Sequence, residues 1–431
     1  MGNKKQLFKK SDIFPRRGTS SLCIKLNLRR VKNKLKKRKP EQFLGWLYTL
    51  PHPLSVYAYS YILDQNPSHL GSWTNSLVED NSTEKIEKEV IRKMINIYHT
   101  HPKILEGYVT SGGTESNLFS AWVGRTYLEK FIDKGKVCLL RTELSHYSVN
   151  KAARVVGVKD FTVPLDKNSW GMSPEGFEIV IRKLVEEGYR KFLVPITLGY
   201  TLTGSSDDLF LINKSIFRLK KVYKNIHFFV WIDAALNGLT MPFLLTNFSP
   251  FSMVNVQTFC VDFHKLGLTP YPTGIILYRK NLKKLIERDI NYLPQKDVTI
   301  SGSRPGSSAV AIWSMIHYLG FDGYKKNIVN CMKVKKHFIE RLKIIDPSVT
   351  IISDEMSVHL GVIFNIPIEK FDNLQNRFGM FASKIVLNFY PKTRKKYTIY
   401  KFYFLPGITK NLATQFLDLL EINLSKNERY I

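Results

Sequence analysis

Between Tyr108 and Tyr278 the chain alternates short apolar runs with longer amphipathic stretches. The runs have the length of strands, whereas stretches such as 174–187 and 207–223 have helical spacing. Strands that alternate with helices predict an α/β fold with a mainly parallel sheet covered on both faces. The predicted strands are 137–140, 161–165, 192–196, 228–232, 258–261 and 275–278.

The C-terminal part predicts a smaller unit of a different kind. Strands at 358–364, 385–389 and 397–404 and a helix at 409–422 indicate a small α+β domain. We therefore expect four parts along the chain. They are a basic arm at 1–40, an N-terminal segment at 41–84, a large domain at 85–325 and the small domain at 326–431.

The first 40 residues are strongly basic. They contain ten Lys and five Arg against one acid, Asp12, and so hold half of the formal net charge of +28. Such a density of like charge is typical of a solvated, disordered tail. It also suits attraction to nucleic acid or to an anionic membrane surface, or an address signal. The sequence leaves these alternatives open.

The sequence lacks both a membrane span and a metal-binding cysteine pattern, which excludes some classes of protein. No uninterrupted apolar run reaches the roughly 18 residues of a membrane-spanning helix. The four cysteines have neither CxxC nor CxH spacing, so the sequence gives no support for a metal site. Scattered thiols in a chain of this length favour a reducing compartment, and we expect a cytoplasmic protein.

The segment 110–117, TSGGTESN, directly precedes an apolar helical run. Gly112 and Gly113 allow the backbone to approach a ligand closely, and N–H groups at a helix start attract phosphate. The hydroxyls of Ser111 and Thr114 could add hydrogen bonds. An ordinary helix cap built from Ser, Thr and Gly would have the same appearance.

Asp233 follows the apolar run 228–232 in the segment WIDAA. An acid at the carboxyl end of a buried strand lies where α/β sheets bind ligands. A buried carboxylate needs a partner, and a protonated pyridine nitrogen would serve. Backbone N–H groups at the strand end could satisfy it instead.

Lys265 follows the run 258–261 in the segment DFHK and precedes the Gly- and Pro-rich residues 267–274. A lysine held in a tight loop beside the sheet could form a Schiff base with an aldehyde cofactor. It could also be a surface lysine. A phosphate loop, an acid and a lysine nevertheless occur in this order, each after a separate strand, and that order favours a cofactor site.

From about Pro51 onward the chain resembles the group II pyridoxal-dependent decarboxylases. The segments that carry the resemblance are TSGGTESNL, ELSHYSVNKAARVVGV, LGYTLTGSSDDL, WIDAALNGLTMPF, DFHKLGLTPYPTG and TISGSRPGSSAVAIW. The central segments look most like the histidine and serine decarboxylase branch. TLPHP and HKLGLTPYPTGIILYR look more like the archaeal tyrosine/aspartate branch.

The resemblance implies the fold of aspartate aminotransferase (fold type I, PLP-dependent transferase-like) and the cofactor pyridoxal 5'-phosphate, bound through Lys265. Asp233 would pair with the pyridine nitrogen, and His146 and Ala235 would lie on opposite faces of the ring. The implied cofactor-binding residues are Ser111, Gly112, Gly113, Thr114, His146, Thr201, Asp233, Ala235, Thr258, His264 and Lys265. The resemblance also implies a homodimer, in which 41–84 wraps the partner and a loop with Ser303 and Arg304 reaches the neighbouring site.

The implied activity is decarboxylation of an L-amino acid to carbon dioxide and a primary amine. The substrate would be histidine, serine, an aromatic or an acidic amino acid. Tyr292 resembles a mobile-loop tyrosine that returns the proton, with His264 and His146 as competitors. One alternative is a carbon–carbon lyase of the sphingosine-phosphate lyase type, since one scaffold hosts several chemistries. Another is a binding protein that acts through its basic arm on a decayed scaffold.

Overall fold

The structure, a computed structural model, describes residues 19–36, 43–70, 82–132, 135–291, 296–365 and 372–427. Its strands are β1 (Ser68–Leu70), β2 (Leu105–Thr110), β3 (Lys136–Arg141), β4 (Lys159–Thr162), β5 (Leu165–Asp166), β6 (Tyr189–Thr197), β7 (His227–Asp233), β8 (Val256–Asp262), β9 (Gly274–Arg279), β10 (Arg288–Asp289), β11 (Lys296–Asp297), β12 (Ser303–Pro305), β13 (Thr350–Ile352), β14 (His359–Ile363), β15 (Ala382–Tyr390) and β16 (Thr393–Tyr403). Its helices are α1 (Ser21–Lys36), α2 (Pro53–Tyr61), α3 (Ser82–Ile97), α4 (Gly113–Glu129), α5 (Tyr147–Val155), α6 (Pro174–Glu186), α7 (Leu209–Val222), α8 (Met241–Leu244), α9 (Lys283–Ile286), α10 (Gly306–Ile345), α11 (Asp372–Phe378) and α12 (Lys410–Asn427).

A seven-stranded sheet forms the centre of the fold, in the order β2–β9–β8–β7–β6–β3–β4. β9 is antiparallel to both of its neighbours, and the other neighbouring pairs are parallel. The predicted α/β fold with a mainly parallel sheet is therefore confirmed. β7 and β8 are adjacent and parallel, so Asp233 and Asp262 end neighbouring strands at the same edge. α/β sheets bind ligands at such an edge.

Both faces of this sheet are covered. On one face Phe119 of α4 packs in a cluster with Trp231 of β7. On the other face Ile232 belongs to a larger cluster with Ile181 of α6 and Ile216 of α7. Strands that are buried on both faces need apolar residues at successive positions, which is why the sequence shows continuous runs there.

A second sheet, with the order β13–β14–β16–β15–β5, lies in the C-terminal part. Its core includes Phe338 of α10, Phe402 of β16 and Phe416 of α12. β5 precedes α6 in the chain, yet it pairs parallel with β15 through Leu165 and Phe389. The small sheet is thus joined to the central part through β5. The boundary that we propose at 325/326 lies within α10, which is interrupted at Gly320.

The described part of the basic arm is helical rather than disordered. Residues 21–36 form α1, because the apolar residues of this basic segment recur at helical spacing. Further along, α2 packs against its own chain, where Ser55 Oγ donates a hydrogen bond to the carbonyl of Leu268 at 2.7 Å. The expected contact of 41–84 with a dimer partner stays a prediction.

Membrane spans and metal-binding clusters are both absent from the described residues. In these ranges no helix is long and apolar enough to cross a membrane. The same ranges contain no group of three or more His, Cys, Asp and Glu side chains that could hold a metal ion. All four cysteines carry free thiols.

Candidate active site

The N-terminus of α4 forms one wall of a cavity at the carboxyl edge of the sheet. Its N-cap residue is Gly112, whose φ of 140° is open to glycine but strained for other residues. A Cβ atom at this position would lie 2.8 Å from Cε1 of His264. No side chain caps the helix. The first N–H groups of α4 are therefore available to an anion in the cavity.

Asp233, at the end of β7, is buried at the floor of the cavity. Its Oδ2 accepts a hydrogen bond of 2.7 Å from Nδ2 of Asn117, and its Oδ1 accepts one of 3.3 Å from the N–H of Ala235. Oδ1 of Asn117 in turn accepts a 2.9 Å hydrogen bond from Nε1 of Trp231. Asn117 is thus fixed by the sheet and fixes the carboxylate.

Lys265 lies in the loop after β8, and its Nζ is 3.0 Å from Oδ2 of Asp262. Burial would raise the pKa of Asp262, but the ammonium of Lys265 and the hydrogen bond to His264 outweigh it and hold that pKa at about 2. Burial likewise would lower the pKa of Lys265, yet Asp262 and Asp233 raise it above its usual value. The pair is therefore ionised at neutral pH.

His264 is held on two sides. Nδ1 lies 2.8 Å from the carbonyl oxygen of Thr273, so this nitrogen carries a proton and donates it. Nε2 lies 3.4 Å from Oδ2 of Asp262. The imidazole also stacks on the ring of Tyr271, with 4.0 Å between centroids. His264 therefore forms a fixed part of the cavity wall.

His146 is the N-cap of α5, where its ring accepts from the N–H of Ser148. Its Nδ1 also lies 2.7 Å from Ser148 Oγ. Burial lowers the pKa of His146, and Lys265 acts in the same direction, against the opposing effect of Asp233 and Asp262. At neutral pH the ring is therefore uncharged and suited to lie against an aromatic group.

These residues enclose a cavity of about 310 Å³. Its lining combines glycines, hydroxyls, two acids, two histidines and one lysine. The lining residues are Ser111, Gly112, Gly113, Thr114, Asn117, His146, Tyr147, Thr197, Gly199, Thr201, Asp233, Ala235, Leu236, Asp262, His264, Lys265 and Tyr271. The structure thus brings together all the predicted cofactor-binding residues except Thr258.

Thr258, Ser303 and Arg304 do not line this cavity. Thr258 is fully buried within β8, where its Oγ1 lies 2.6 Å from Oγ of Ser120, so it contacts α4 rather than the cavity. Arg304 is buried as well, and it pairs with Glu87 of its own chain. Ser303 is exposed beside it in β12. The expected role of the Ser303 and Arg304 loop in a neighbouring site stays a prediction. Tyr292 lies outside the described residues.

Two residues of the site belong to the sequence motifs, but the sequence analysis did not predict a function for them. They are Asn117, which holds Asp233, and Asp262, which holds Lys265. The partner of Asn117 lies on another element, 116 residues away, so the residues around Asn117 gave no signal. Asp262 ends β8 just as Asp233 ends β7, and this shared position at a strand end was the available signal.

The cavity fits pyridoxal 5'-phosphate. The uncapped N-terminus of α4 suits the phosphate, the buried carboxylate of Asp233 suits a protonated pyridine nitrogen, and the amine of Lys265 suits the aldehyde. Oδ1 of Asp262 is buried without a hydrogen-bond partner in the described residues, so the cavity retains polar capacity for a ligand. The fold and the site define a fold type I enzyme that depends on pyridoxal phosphate.

Comparison with known proteins gives the family. Residues 81–366 match the family model described as "Pyridoxal-dependent decarboxylase conserved domain", and the chain belongs to that family. Membership makes the protein a pyridoxal-phosphate-dependent amino-acid decarboxylase, as its motifs predict.

Curated relatives carry several substrate names. A tryptophan decarboxylase of Clostridium sporogenes is 32% identical over 61% of this chain and 64% of that protein. A probable L-tyrosine/L-aspartate decarboxylase of Methanosphaera stadtmanae is 27% identical over 90% and 92%. An L-aspartate/L-glutamate decarboxylase of Pyrococcus horikoshii is 30% identical over 70% and 74%. The resemblance to the archaeal branch is thereby confirmed.

Solved structures agree on the fold. An L-methionine decarboxylase of Streptomyces sp. 590 superposes with a TM-score of 0.80 at 16% identity, covering 95% of this chain and 96% of that one. A sphingosine-1-phosphate lyase of Burkholderia pseudomallei superposes with a TM-score of 0.77 at 14% identity, covering 97% and 94%. At these identities the likeness shows the fold alone, and it includes both a decarboxylase and a lyase.

Proposed function

We propose that this decarboxylase acts on an aromatic or an acidic L-amino acid, with Lys265 as the residue that binds the cofactor. The observation that carries the assignment of Lys265 is its convergence with Asp233 and the α4 N-terminus on one cavity. The proposed substrate range rests on the relatives, whose names include tryptophan, tyrosine, aspartate and glutamate. Histidine and serine remain within the range that the motifs suggest.

When bound, pyridoxal phosphate supplies the electron sink that accepts the bonding electrons as carbon dioxide leaves. The protein's own part is to hold this group and its surroundings. Asp233 presents its carboxyl group at the cavity floor, and Asn117 keeps its Oδ2 in place through the 2.7 Å hydrogen bond. A fixed carboxylate needs no reorganisation during the reaction, which is the condition for effective electrostatic stabilisation.

Lys265 and Asp262 control a proton at one atom. Nζ of Lys265 is held as an ammonium by the carboxylate 3.0 Å away. When the lysine amine becomes neutral to react with an aldehyde, that proton has to leave Nζ. Asp262, with its pKa at about 2, stays ionised at neutral pH and keeps a negative charge for whichever cation comes next to it, including a substrate amine.

His146 and Ala235 orient whatever aromatic group fills the cavity. In the proposed arrangement the uncharged His146 ring lies against one face and Ala235 against the other. Holding the scissile bond in one orientation is a positioning effect, and effects of this kind reach several kcal/mol of the barrier. For the return of the proton to the α-carbon, Tyr292 stays a prediction. His264 and His146, which both line the cavity, are its competitors.

We also propose that the protein is a homodimer with segment 41–84 at the interface. A closed two-fold pair is the commonest oligomer, and the motif resemblance points to sites completed across a dimer. Sedimentation equilibrium of the active holoprotein tests this proposal. A dimer mass is expected, and a fully active monomer would contradict it.

The direct test of the activity uses purified holoprotein with tryptophan, tyrosine, aspartate, glutamate, histidine and serine in separate reactions. Carbon dioxide and the amine product are both measured. We expect stoichiometric carbon dioxide and primary amine from an aromatic or acidic amino acid, and neither product from Lys265→Ala. Release of an aldehyde without carbon dioxide, from a phosphorylated amino alcohol, would instead support the lyase reaction.

A further inference from the structure

Helix α1 has a regular arrangement of apolar residues. Ile24, Leu28, Val31 and Leu35 are spaced by four, three and four positions, which places them in one row along the helix. Leu22 and Leu26, near the start of the helix, lie off this row. A row of this spacing normally marks the face that a helix buries.

In the structure three of these four residues are exposed to solvent, and Val31 is half-buried. The exposed fractions are 48% for Ile24, 60% for Leu28 and 59% for Leu35. The catalytic cavity and its walls contain no residue of α1. Exposed large apolar residues in a row indicate a surface that binds something, whereas single ones need no explanation.

Cationic residues flank the row on both sides. Lys25, Arg29 and Lys32 lie along one side of it, and Arg30 and Lys34 lie along the other. The helix contains no acidic residue. The long side chains of Lys and Arg can keep their charges in water while their stems cover apolar surface. This arrangement is that of a helix lying at the interface of an anionic bilayer.

The apolar row favours an anionic bilayer over nucleic acid as the partner of this helix. Nucleic acid is bound mainly through phosphate contacts by cations and gains little from a continuous row of Ile and Leu. A bilayer uses both features, since the apolar row enters the acyl boundary while the cations meet anionic headgroups. We propose that α1 is an interfacial helix that docks this enzyme on the surface of an anionic phospholipid membrane.

This surface is separate from the decarboxylase site and adds a location to the activity. The catalytic body would remain in water, with α1 parallel to the membrane plane. Each cation near an anionic surface raises binding by about fivefold, and this gain falls with salt. Attachment through α1 is therefore reversible and sensitive to ionic strength.

The test uses full-length holoprotein and co-sedimentation with vesicles of phosphatidylcholine, either alone or mixed with phosphatidylserine. The critical variant is Leu28→Gln with Leu35→Gln, because Gln keeps helix propensity and leaves the charge unchanged. The matched control is Ile132→Gln with Val254→Gln, which replaces residues that are 99% and 68% exposed elsewhere on the protein.

We expect the wild-type protein and the matched control to sediment with phosphatidylserine-containing vesicles and not with phosphatidylcholine alone. The Leu28/Leu35 variant should bind at least about tenfold more weakly, with decarboxylase activity unchanged. Arg29→Gln with Lys32→Gln should weaken binding about 30-fold and reduce its dependence on salt.

Equal binding of the Leu28/Leu35 variant and the wild type would overturn the proposal, as would an equal loss in the matched control. A DNA duplex monitored by fluorescence anisotropy provides a further arm. If the wild type and the Leu28/Leu35 variant bind the duplex equally well while the vesicles bind neither, the helix serves nucleic acid and the membrane proposal is wrong.

Discussion

Nζ of Lys265 lies 3.0 Å from Oδ2 of Asp262, only three residues earlier in the chain. The contact forms because β8 ends at Asp262 and the loop turns back at once, with Phe263 and His264 both donating their N–H groups to the carbonyl of Thr273. The lysine proposed to bind the cofactor thus has a carboxylate partner that favours its ammonium form.

Asp262→Asn tests whether this partner controls the proton on Lys265. Since Asp262 raises the pKa of Lys265, its removal should lower that pKa, and the neutral amine should become available at lower pH. We expect the midpoint of the pH profile for cofactor uptake by the apoprotein to shift down by about 1 unit or more. Stopped-flow absorbance measures the uptake rate.

Asp289→Asn is a suitable control for this experiment because Asp289 is a surface carboxylate, 81% exposed, whose recorded pair is with Lys296. Its profile should match that of the wild type. An unshifted profile for Asp262→Asn would mean that Asp262 does not hold the proton on Lys265.

Gly112→Ala tests the phosphate cradle. Alanine at a φ of 140° is strained, and its Cβ would lie 2.8 Å from Cε1 of His264. We expect the cofactor dissociation constant to rise about 5- to 150-fold, because strain of about 1–3 kcal/mol falls on the loop that binds it. Fluorescence titration of the apoprotein measures this constant.

Gly302→Ala is the matched change, since a Cβ at Gly302 would meet nothing within 4 Å. It should leave the dissociation constant within about twofold of the wild-type value. If Gly112→Ala bound the cofactor as tightly as this control, the N-terminus of α4 would not be the phosphate site.

Glu87→Gln tests the buried cluster that joins α3 to β12. Nη2 of Arg304 lies 3.2 Å from Oε2 of Glu87, and Nδ1 of His69 lies 3.0 Å from the same oxygen. Removing the charge of Glu87 takes the opposing carboxylate away from the buried guanidinium of Arg304. The free energy of unfolding at neutral pH should therefore fall by about 3–5 kcal/mol. Urea denaturation measures it, and Glu340→Gln, at a 59% exposed carboxylate, should change it by less than about 0.5 kcal/mol.

The same variant should change the response to acid. Burial would raise the pKa of Glu87, but Arg304 and His69 lower it to about 2, below the usual value of about 4.3. A lowered folded-state pKa contributes stability above roughly pH 4 that is lost as the pH falls toward 2. Glu87→Gln should lose this part of the acid dependence. An unchanged slope of stability against pH in that range would show that Glu87 is not the titrating group.

The central strands were predictable from the sequence because they are buried on both faces, so that each one reads as an apolar run. β2 was not among the predicted strands, although all six of its residues are buried. Glu106 and Gly107 break its apolar pattern. The carboxylate of Glu106 is buried beside Tyr278 and Lys280, and burial raises its pKa. Those partners lie on and just after β9, far along the chain, and a local pattern does not reveal them.

In the candidate site, too, some residues were predictable from the sequence and others were not. Gly112 precedes a helix, Asp233 ends a strand and Lys265 follows a strand by three residues. These positions in the sequence pattern pointed to all three. Arg304 pairs with Glu87, which is 217 residues away in sequence, and its motif gave no sign of this partner. Such long-range pairing depends on how the elements pack. The helix in the basic arm was missed for a different reason, since the density of charge suggested disorder although the apolar spacing was helical.

The proposed chemistry depends on covalent binding of pyridoxal phosphate by Lys265. Reduction of the purified holoprotein with borohydride, followed by proteolysis and mass spectrometry, locates the fixed cofactor. We expect the cofactor on the peptide that contains Lys265, and we expect Lys265→Ala to lack the absorbance band at roughly 420 nm. A cofactor fixed to another lysine, or a Lys265→Ala protein that keeps the band, would contradict covalent binding by Lys265.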